Sequence, residues 1–267
     1  MKKYLALFRI RFTNSLQYRA AAFGGIATQF AWGFMLILQY MAFYRADPAA
    51  FPMELSQTVT YIWMQQAFLA LFMMWFFEGE IFASITGGGI AYELARPLDL
   101  YGRWFCQSAA NRLSKAVLRC FPILIIAFII PEPFRMSPPQ SVTHFLLFLL
   151  SAALSLCVVV AFAMPIYISV FYTLSPLGVR LVVATVADFL AGALIPLPFF
   201  PQPFRTIAEL LPFAAMQNMP LRIYNGDIAG IQAIQGIGLQ IVWLVVLVFA
   251  GKILMRQALR KVVVQGG

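Results

Sequence analysis

The chain has 267 residues, of which 62% are hydrophobic and only 11% are charged, and it carries a net charge of +9. Soluble domains average roughly 45–50% apolar and about 25% charged residues, so this composition excludes a soluble globular protein. The apolar runs are long and continuous rather than alternating, which favours membrane-spanning helices. We therefore expect an all-α integral membrane protein. The positions of its Lys and Arg residues then indicate which loops are cytoplasmic, and they do not imply nucleic-acid binding.

Residues 1–19 form the first predicted element. At 100° per residue, one stripe collects its main apolar side chains: Tyr4, Leu5, Phe8, Phe12 and Leu16. Lys2, Lys3 and Arg9 lie off this stripe, which predicts an amphipathic helix. We expect this helix to lie in the plane of the headgroups, with its bases near anionic lipid. A solvated, frayed tail is the alternative.

Six later stretches are candidates for crossing a bilayer, which takes about 20 mostly apolar residues. They cover residues 20–43, 59–77, 116–130, 145–171, 181–200 and 228–253. The third is short, and we expect Pro122 to kink it. The six stretches define a transmembrane domain over 20–258, followed by a basic tail over 259–267.

The basic residues are distributed unevenly among the segments that connect these spans. Fifteen of the nineteen lie before the first span, between the second and third, between the fourth and fifth, or after the sixth. Lys and Arg are retained on the cytoplasmic side of membranes. The asymmetry predicts that both termini are cytoplasmic, and an even number of spans agrees with it.

The longest predicted cytoplasmic loop covers 78–115 and contains three consecutive glycines at 87–89. These glycines lack the GxxxxGK[ST] pattern of a phosphate-binding loop, and we expect them to permit a sharp chain reversal instead. Apolar residues at every fourth position from Ile90 then predict a short helix that stops near Pro97. Such a helix can dock a soluble partner. Packing on its own bundle is the alternative.

The external stretch 201–227 is apolar but interrupted by Pro212 and Pro220. It is too short to span, so we expect a re-entrant or interfacial helical hairpin. Its aromatic and methionine side chains either line the exit of a hydrophobic path or seal the end of the bundle.

Asp188 is the only acidic residue well inside a predicted span. A charge at that depth is costly and normally faces a partner or a watery cavity, although a hydrogen-bonded structural role is equally open. We take a small set of residues as candidates for a substrate path: Asp188, Phe199, Phe200, Phe213 and Met216. The three scattered cysteines and the single histidine offer no metal-binding spacing, so no metal site is predicted.

The order of these parts resembles the membrane (permease) subunit of type-2 ABC exporters. The resemblance is carried by the basic amphipathic helix, the six spans, ELARPL between spans two and three, and IPLPFFP leading into FRTIAELLPFAAMQNMPLRIYNGD. It covers essentially the whole chain. Within that family the chain is most similar to bacterial permeases for antibiotics, viologen-like cations or other hydrophobic compounds, which implies a multi-pass protein of the bacterial plasma (inner) membrane.

The resemblance also implies partners. Two permeases, identical or homologous, would form the path for a hydrophobic or amphipathic substrate, above two ATPase subunits. The short cytoplasmic helix would couple to the ATPase through six residues: Tyr92, Glu93, Leu94, Arg96, Pro97 and Leu98. The chain would itself be non-catalytic and bind no cofactor, because ATP and Mg would sit on the ATPase. No nucleic-acid partner is implied, and membrane lipid surrounds the chain.

Two other function classes stay open. A secondary transporter is expected to carry inverted repeats and ion-coupling polar residues near the midplane, for which Asp188 alone is thin support. A membrane enzyme needs a cluster of acids, a nucleophile with a base, or a His/Asp cluster, and the predicted spans offer one Asp and no such cluster.

Overall fold

A computed structural model describes residues 2–17, 19–173 and 175–261. Within these ranges the regular structure is helical. The α-helices are α1 (Lys2–Ser15), α2 (Arg19–Ala46), α3 (Leu55–Ala67), α4 (Leu69–Phe72), α5 (Gly79–Thr86), α6 (Ile90–Leu94), α7 (Leu100–Ile129), α8 (Val142–Thr173), α9 (Leu177–Leu190), α10 (Phe204–Leu210), α11 (Asn218–Tyr224) and α12 (Gly230–Leu259). The predicted basic tail lies outside the described residues from position 262 onward.

Three helices are long and apolar enough to cross a membrane: Gly24–Ala46 within α2, the whole of α8 and the whole of α12. They coincide with the first, fourth and sixth predicted spans. Pro165 lies inside α8 without ending it. The prediction of a helical membrane protein is thereby confirmed, because these helices have the length and composition that spanning requires.

The other three predicted spans take different forms. The stretch 59–77 is divided into α3, α4 and a non-helical segment over 73–78. The stretch 116–130 is the apolar second half of α7, which continues through Pro122. In the stretch 181–200, α9 ends at Leu190 and the chain turns at Gly192, whose φ of 81° is accessible mainly to glycine.

Helix α8 lies at the centre, where it packs against α12, α11, α7 and the short helices α4 and α5. Two glycines permit close approach elsewhere in the bundle. A Cβ on Gly33 of α2 would lie 2.8 Å from the buried Trp63 ring of α3, and one on Gly251 of α12 would lie 2.7 Å from Tyr101 of α7. Small residues allow helices in membranes to pack at short distance, so these positions set the spacing of the two helix pairs.

A buried amide joins α8 and α12. The Gln240 side chain of α12 is fully buried; its Nε2 donates to Ser155 Oγ and to the Ala215 carbonyl, both at 2.9 Å. Ser151 Oγ of α8 donates in turn to Gln240 Oε1 at 3.0 Å. Every polar atom of the amide therefore has a partner, as burial requires.

The predicted N-terminal helix is present as α1, which packs along α7. Cys106 Sγ donates to the Tyr4 carbonyl at 3.2 Å, and the Tyr4 ring covers Gly102. Arg11 forms an ion pair with Glu80 of α5 at 2.7 Å. The same Glu80 carboxylate accepts a hydrogen bond from Gln107 of α7 at 3.1 Å, so α1, α5 and α7 meet at this residue.

Candidate functional site

Helices α5 and α6 meet at the glycine triplet. Gly88 has a φ of 73°, and the chain reverses there, as the sequence predicted. Helix α6 is five residues long and buries Ile90. It ends at Leu94, slightly before the predicted stop near Pro97, and the connection to α7 finishes at Asp99, whose carboxylate accepts the Gly102 N–H at 2.8 Å as an N-cap.

Glu93 fastens α6 to α7. Its Oε2 accepts a hydrogen bond from Trp104 Nε1 at 2.7 Å, and its Oε1 lies 3.3 Å from Arg103 Nη2. The Glu93 side chain is only 17% exposed, and that of Arg103 only 4%. Burial lowers the pKa of the Arg103 guanidinium, and the Glu93 carboxylate opposes that shift. The structure therefore gives Glu93 intramolecular partners, while its contact with an ATPase stays a prediction.

The other predicted coupling residues face outward, except Leu98, which is half-buried. Tyr92 is 80% exposed and Leu94 is 41% exposed. Arg96 and Pro97 follow them in the exposed turn. We call these four residues the α6 surface. It combines a large aromatic ring, an aliphatic side chain and a cation, the mixture from which protein contacts are commonly built.

A second group of polar side chains, besides the one around Glu93, contacts the non-helical residues 73–78, which we call the broken segment. Arg112 of α7 is 1% exposed, and its guanidinium reaches the C-terminal end of α4. Nη1 donates to the Met73 carbonyl at 2.7 Å, and Nη2 donates to the Phe76 carbonyl at 2.5 Å. Carbonyls at a helix end lack intrahelical partners, so Arg112 supplies bonds that the interruption removes.

Side chains from two further helices and from α7 complete the support of the broken segment. Asp188 Oδ1 of α9 accepts the Met74 N–H, and Tyr167 Oη of α8 accepts the Glu78 N–H, both at 2.8 Å. The Glu78 carboxylate accepts a hydrogen bond from Asn111 of α7 at 2.7 Å. Asp188 thus has the hydrogen-bond partner that a structural role requires, and a role in a substrate path stays a prediction.

The aromatic candidates for the path lie in different clusters. The Phe199 ring packs on Tyr40 and Phe51, with centroids 5.1 and 4.9 Å away. Phe200 belongs to a smaller cluster of buried side chains and packs on Phe189 of α9, 5.3 Å away.

The two candidates from the external stretch lie in the main core. Phe213 packs edge-to-face on Phe162 of α8 at 5.3 Å, and Met216 is fully buried. The aromatic and methionine candidates therefore lie in two clusters, with Phe200 in the smaller one, and their role in a substrate path stays a prediction.

Sequence reasoning missed Arg112, which it counted among the charges of the cytoplasmic loop. A signal was present in the sequence. Arg103, Gln107 and Asn111 recur at every fourth residue of α7, and Ser108 and Arg112 continue the adjacent row. Side chains four residues apart share one face of a helix, so the pattern predicts a polar face that needs partners.

Among the residues that the structure describes, no group of three His, Cys, Asp or Glu side chains is placed to hold a metal ion. No protein-family model matches the chain, and no curated protein is significantly similar to it.

Proposed function

We propose that this chain is the membrane permease subunit of an ATP-driven ABC exporter of the bacterial inner membrane. In this proposal two such chains, or this chain and a homologue, form a path for a hydrophobic or amphipathic substrate above two ATPase subunits. The observation that carries it is the α6 surface, an exposed partly apolar patch on a short helix that is fixed to α7 by Glu93. The order of parts in the sequence and the asymmetry of basic residues support it.

The contacts suggest how a partner's movement would enter the membrane domain. Force on Tyr92 or Leu94 reaches Trp104 and Arg103 through Glu93. These residues belong to α7, a continuous helix of 30 residues and about 45 Å. Helix α1 packs along α7, and Gln107 Nε2 of α7 donates to the Glu80 carboxylate of α5 at 3.1 Å. The ATPase would supply the energy, and this chain would transmit the displacement.

The proposal includes six spans with both termini in the cytoplasm. Besides α2, α8 and α12, the crossings are α3 with α4, the apolar half of α7, and α9. Interrupted helices are tolerated at membrane depth when protein surrounds them. At the interruption, Met73, Met74 and Glu78 are buried, so protein surrounds much of the broken segment.

Purification of the tagged chain in mild detergent from a native host tests this function. We expect an ABC ATPase subunit to be identified by mass spectrometry and ATP hydrolysis to accompany it. Tyr92→Ala with Leu94→Ala should abolish co-purification, while Leu194→Ala, which trims an exposed leucine after α9, should preserve it. Recovery of the chain without any ATPase would refute the proposal.

A secondary transporter is the second candidate, favoured by the interrupted helix beside Asp188. Transporters of that class bind ions where helices are unwound. This function predicts uptake or efflux by the reconstituted chain alone under an ion gradient, and its loss in Asp188→Asn. Gradient-independent, ATP-dependent transport would exclude it.

A further inference from the structure

A cavity of about 610 Å³ lies between α10, α11 and the first turns of α12. Four of its lining residues form a connected ionic network. Arg222 Nη1 lies 2.6 Å from Glu209 Oε1, which also accepts from Arg205 Nε at 3.0 Å, and Arg222 Nε pairs with Asp227. Two cations balance two anions, so the wall carries no net charge and offers both donors and acceptors.

Three amides add hydrogen-bonding capacity to this cavity. Gln232 and Gln235 lie three residues apart on α12 and are exposed, and neither forms a hydrogen bond within the described chain. Asn218 also lines the cavity and is fully buried, and both polar atoms of its side chain lack a partner among the described residues. Buried amides are normally satisfied, so the two polar atoms of Asn218 are unused hydrogen-bonding capacity beside the exposed glutamines.

The surroundings of the cavity are apolar and exposed. Ile207 and Leu210 of α10 and Ile231 and Ile234 of α12 are all largely accessible. The cavity lies at the first turns of a helix that has the length and composition of a membrane span. A polar recess at the end of a span, flanked by exposed apolar residues, lies at the depth of lipid headgroups.

We infer that the cavity binds the head of a zwitterionic phospholipid. The phosphate would take N–H donors from Arg205 and Arg222, and the ammonium group would approach the carboxylates of Glu209 and Asp227. The glutamine amides bond the remaining phosphate and glycerol oxygens, and the acyl chains cover the exposed isoleucines. A balanced wall favours a zwitterion, because an anionic lipid would meet the same two carboxylates without a cation to offset them. This inference does not depend on the transport function.

Native mass spectrometry of the delipidated full chain tests the site. Short-chain phosphatidylethanolamine, phosphatidylglycerol and diacylglycerol are added separately at equal concentration. We expect preferential retention of phosphatidylethanolamine. Gln232→Leu with Gln235→Leu should lower its affinity roughly tenfold, as the loss of two neutral hydrogen bonds predicts. The thermal unfolding midpoint without lipid should stay unchanged, since these amides bond to no described residue.

Gln257→Leu is the matched control, because Gln257 is an exposed glutamine near the other end of α12. It should leave phosphatidylethanolamine affinity unchanged. Equal retention of the three lipids would overturn the inference, since the apolar rim alone would then suffice. Unchanged affinity in the double variant would overturn it as well.

Discussion

The α8–α12 pair and the broken segment are both stabilised by buried polar side chains, but of different kinds. In the pair, both helices are continuous and satisfy their own backbone, so one neutral amide, Gln240, joins them. In the broken segment the backbone of residues 73–78 leaves the helix, and its carbonyls and N–H groups bond to Arg112, Asp188 and Tyr167.

The difference follows from what an interruption leaves unpaired. Orphan carbonyls at the end of α4 concentrate negative partial charge, which a guanidinium with several donors matches. An exposed N–H group is matched by a carboxylate, as Asp188 matches Met74. Of these two regions, the one with a broken backbone is supported by charged groups, and the one with an intact backbone is joined by a neutral amide.

The most damaging change should be Arg112→Met, which keeps an aliphatic stem but removes the donors to the Met73 and Phe76 carbonyls. We expect a loss of about 3 kcal/mol in the free energy of unfolding, since each unsatisfied group costs about 1–3 kcal/mol. Thermal unfolding in detergent, followed with a dye that reacts with the buried Cys120 thiol, measures it. Arg45→Met, at an exposed arginine, is the control. Equal unfolding midpoints for the two variants would contradict the view that Arg112 stabilises the broken segment.

Gln240→Leu tests the intact pair. It leaves Ser151 Oγ and the Ala215 carbonyl without their amide partner, and we expect a loss of about 1–2 kcal/mol, the upper range for hydrogen bonds between membrane helices. The same thermal assay applies, with Gln257→Leu as control. A loss as large as that of Arg112→Met would mean that continuous and broken regions do not differ in the strength of their supports.

Two substitutions at Asp188 distinguish the contribution of its charge from the contribution of its hydrogen bond. Asp188→Asn keeps an oxygen that accepts the Met74 N–H, so it should cost under about 1 kcal/mol, whereas Asp188→Leu should cost more, about 1–3 kcal/mol, because that N–H is left unpaired. The two midpoints, measured side by side, sharpen the comparison. Equal losses would show that the negative charge near Arg112, rather than the hydrogen bond, supports the segment.

The smallest effect is expected at the Arg11–Glu80 pair, where Glu80 is 69% exposed. Exposed ion pairs contribute little, so Arg11→Ala should lower the free energy of unfolding by about 0.5 kcal/mol, and high salt should erase the difference. Arg9→Ala, at an exposed arginine of the same helix, serves as the reference. A large, salt-independent loss would place this contact among the buried supports.

Periodicity and length predicted the parts of the fold that depend on local sequence. The amphipathic first helix, the three long apolar helices and the short helix after the glycines all follow from neighbouring residues. In the predicted external hairpin, α10 follows from an apolar run bounded by Pro203 and Pro212, whereas α11 contains Pro220 in its first turn, where a proline is tolerated.

The broken segment could not be predicted in this way. Its sequence, MMWFFE, is apolar and holds no glycine or proline, so nothing local marks an interruption. Its supports come from residues 33 to 114 positions away, such as Asn111 and Asp188. The cavity at α10–α12 was also missed, because it forms only when three separate helices meet.

The packing of α1 on α7 also means that α1 is synthesised well before the helix that it contacts. Tyr4 and its partner Cys106 are 102 positions apart. At synthesis rates of about 5–20 residues per second, α7 emerges roughly 5–20 seconds after α1. During that interval the apolar stripe of α1 has no docking site on the chain, and lipid headgroups are the surface that can cover it. The membrane surface would thus bind α1 until α7, the helix on which it packs, has been synthesised.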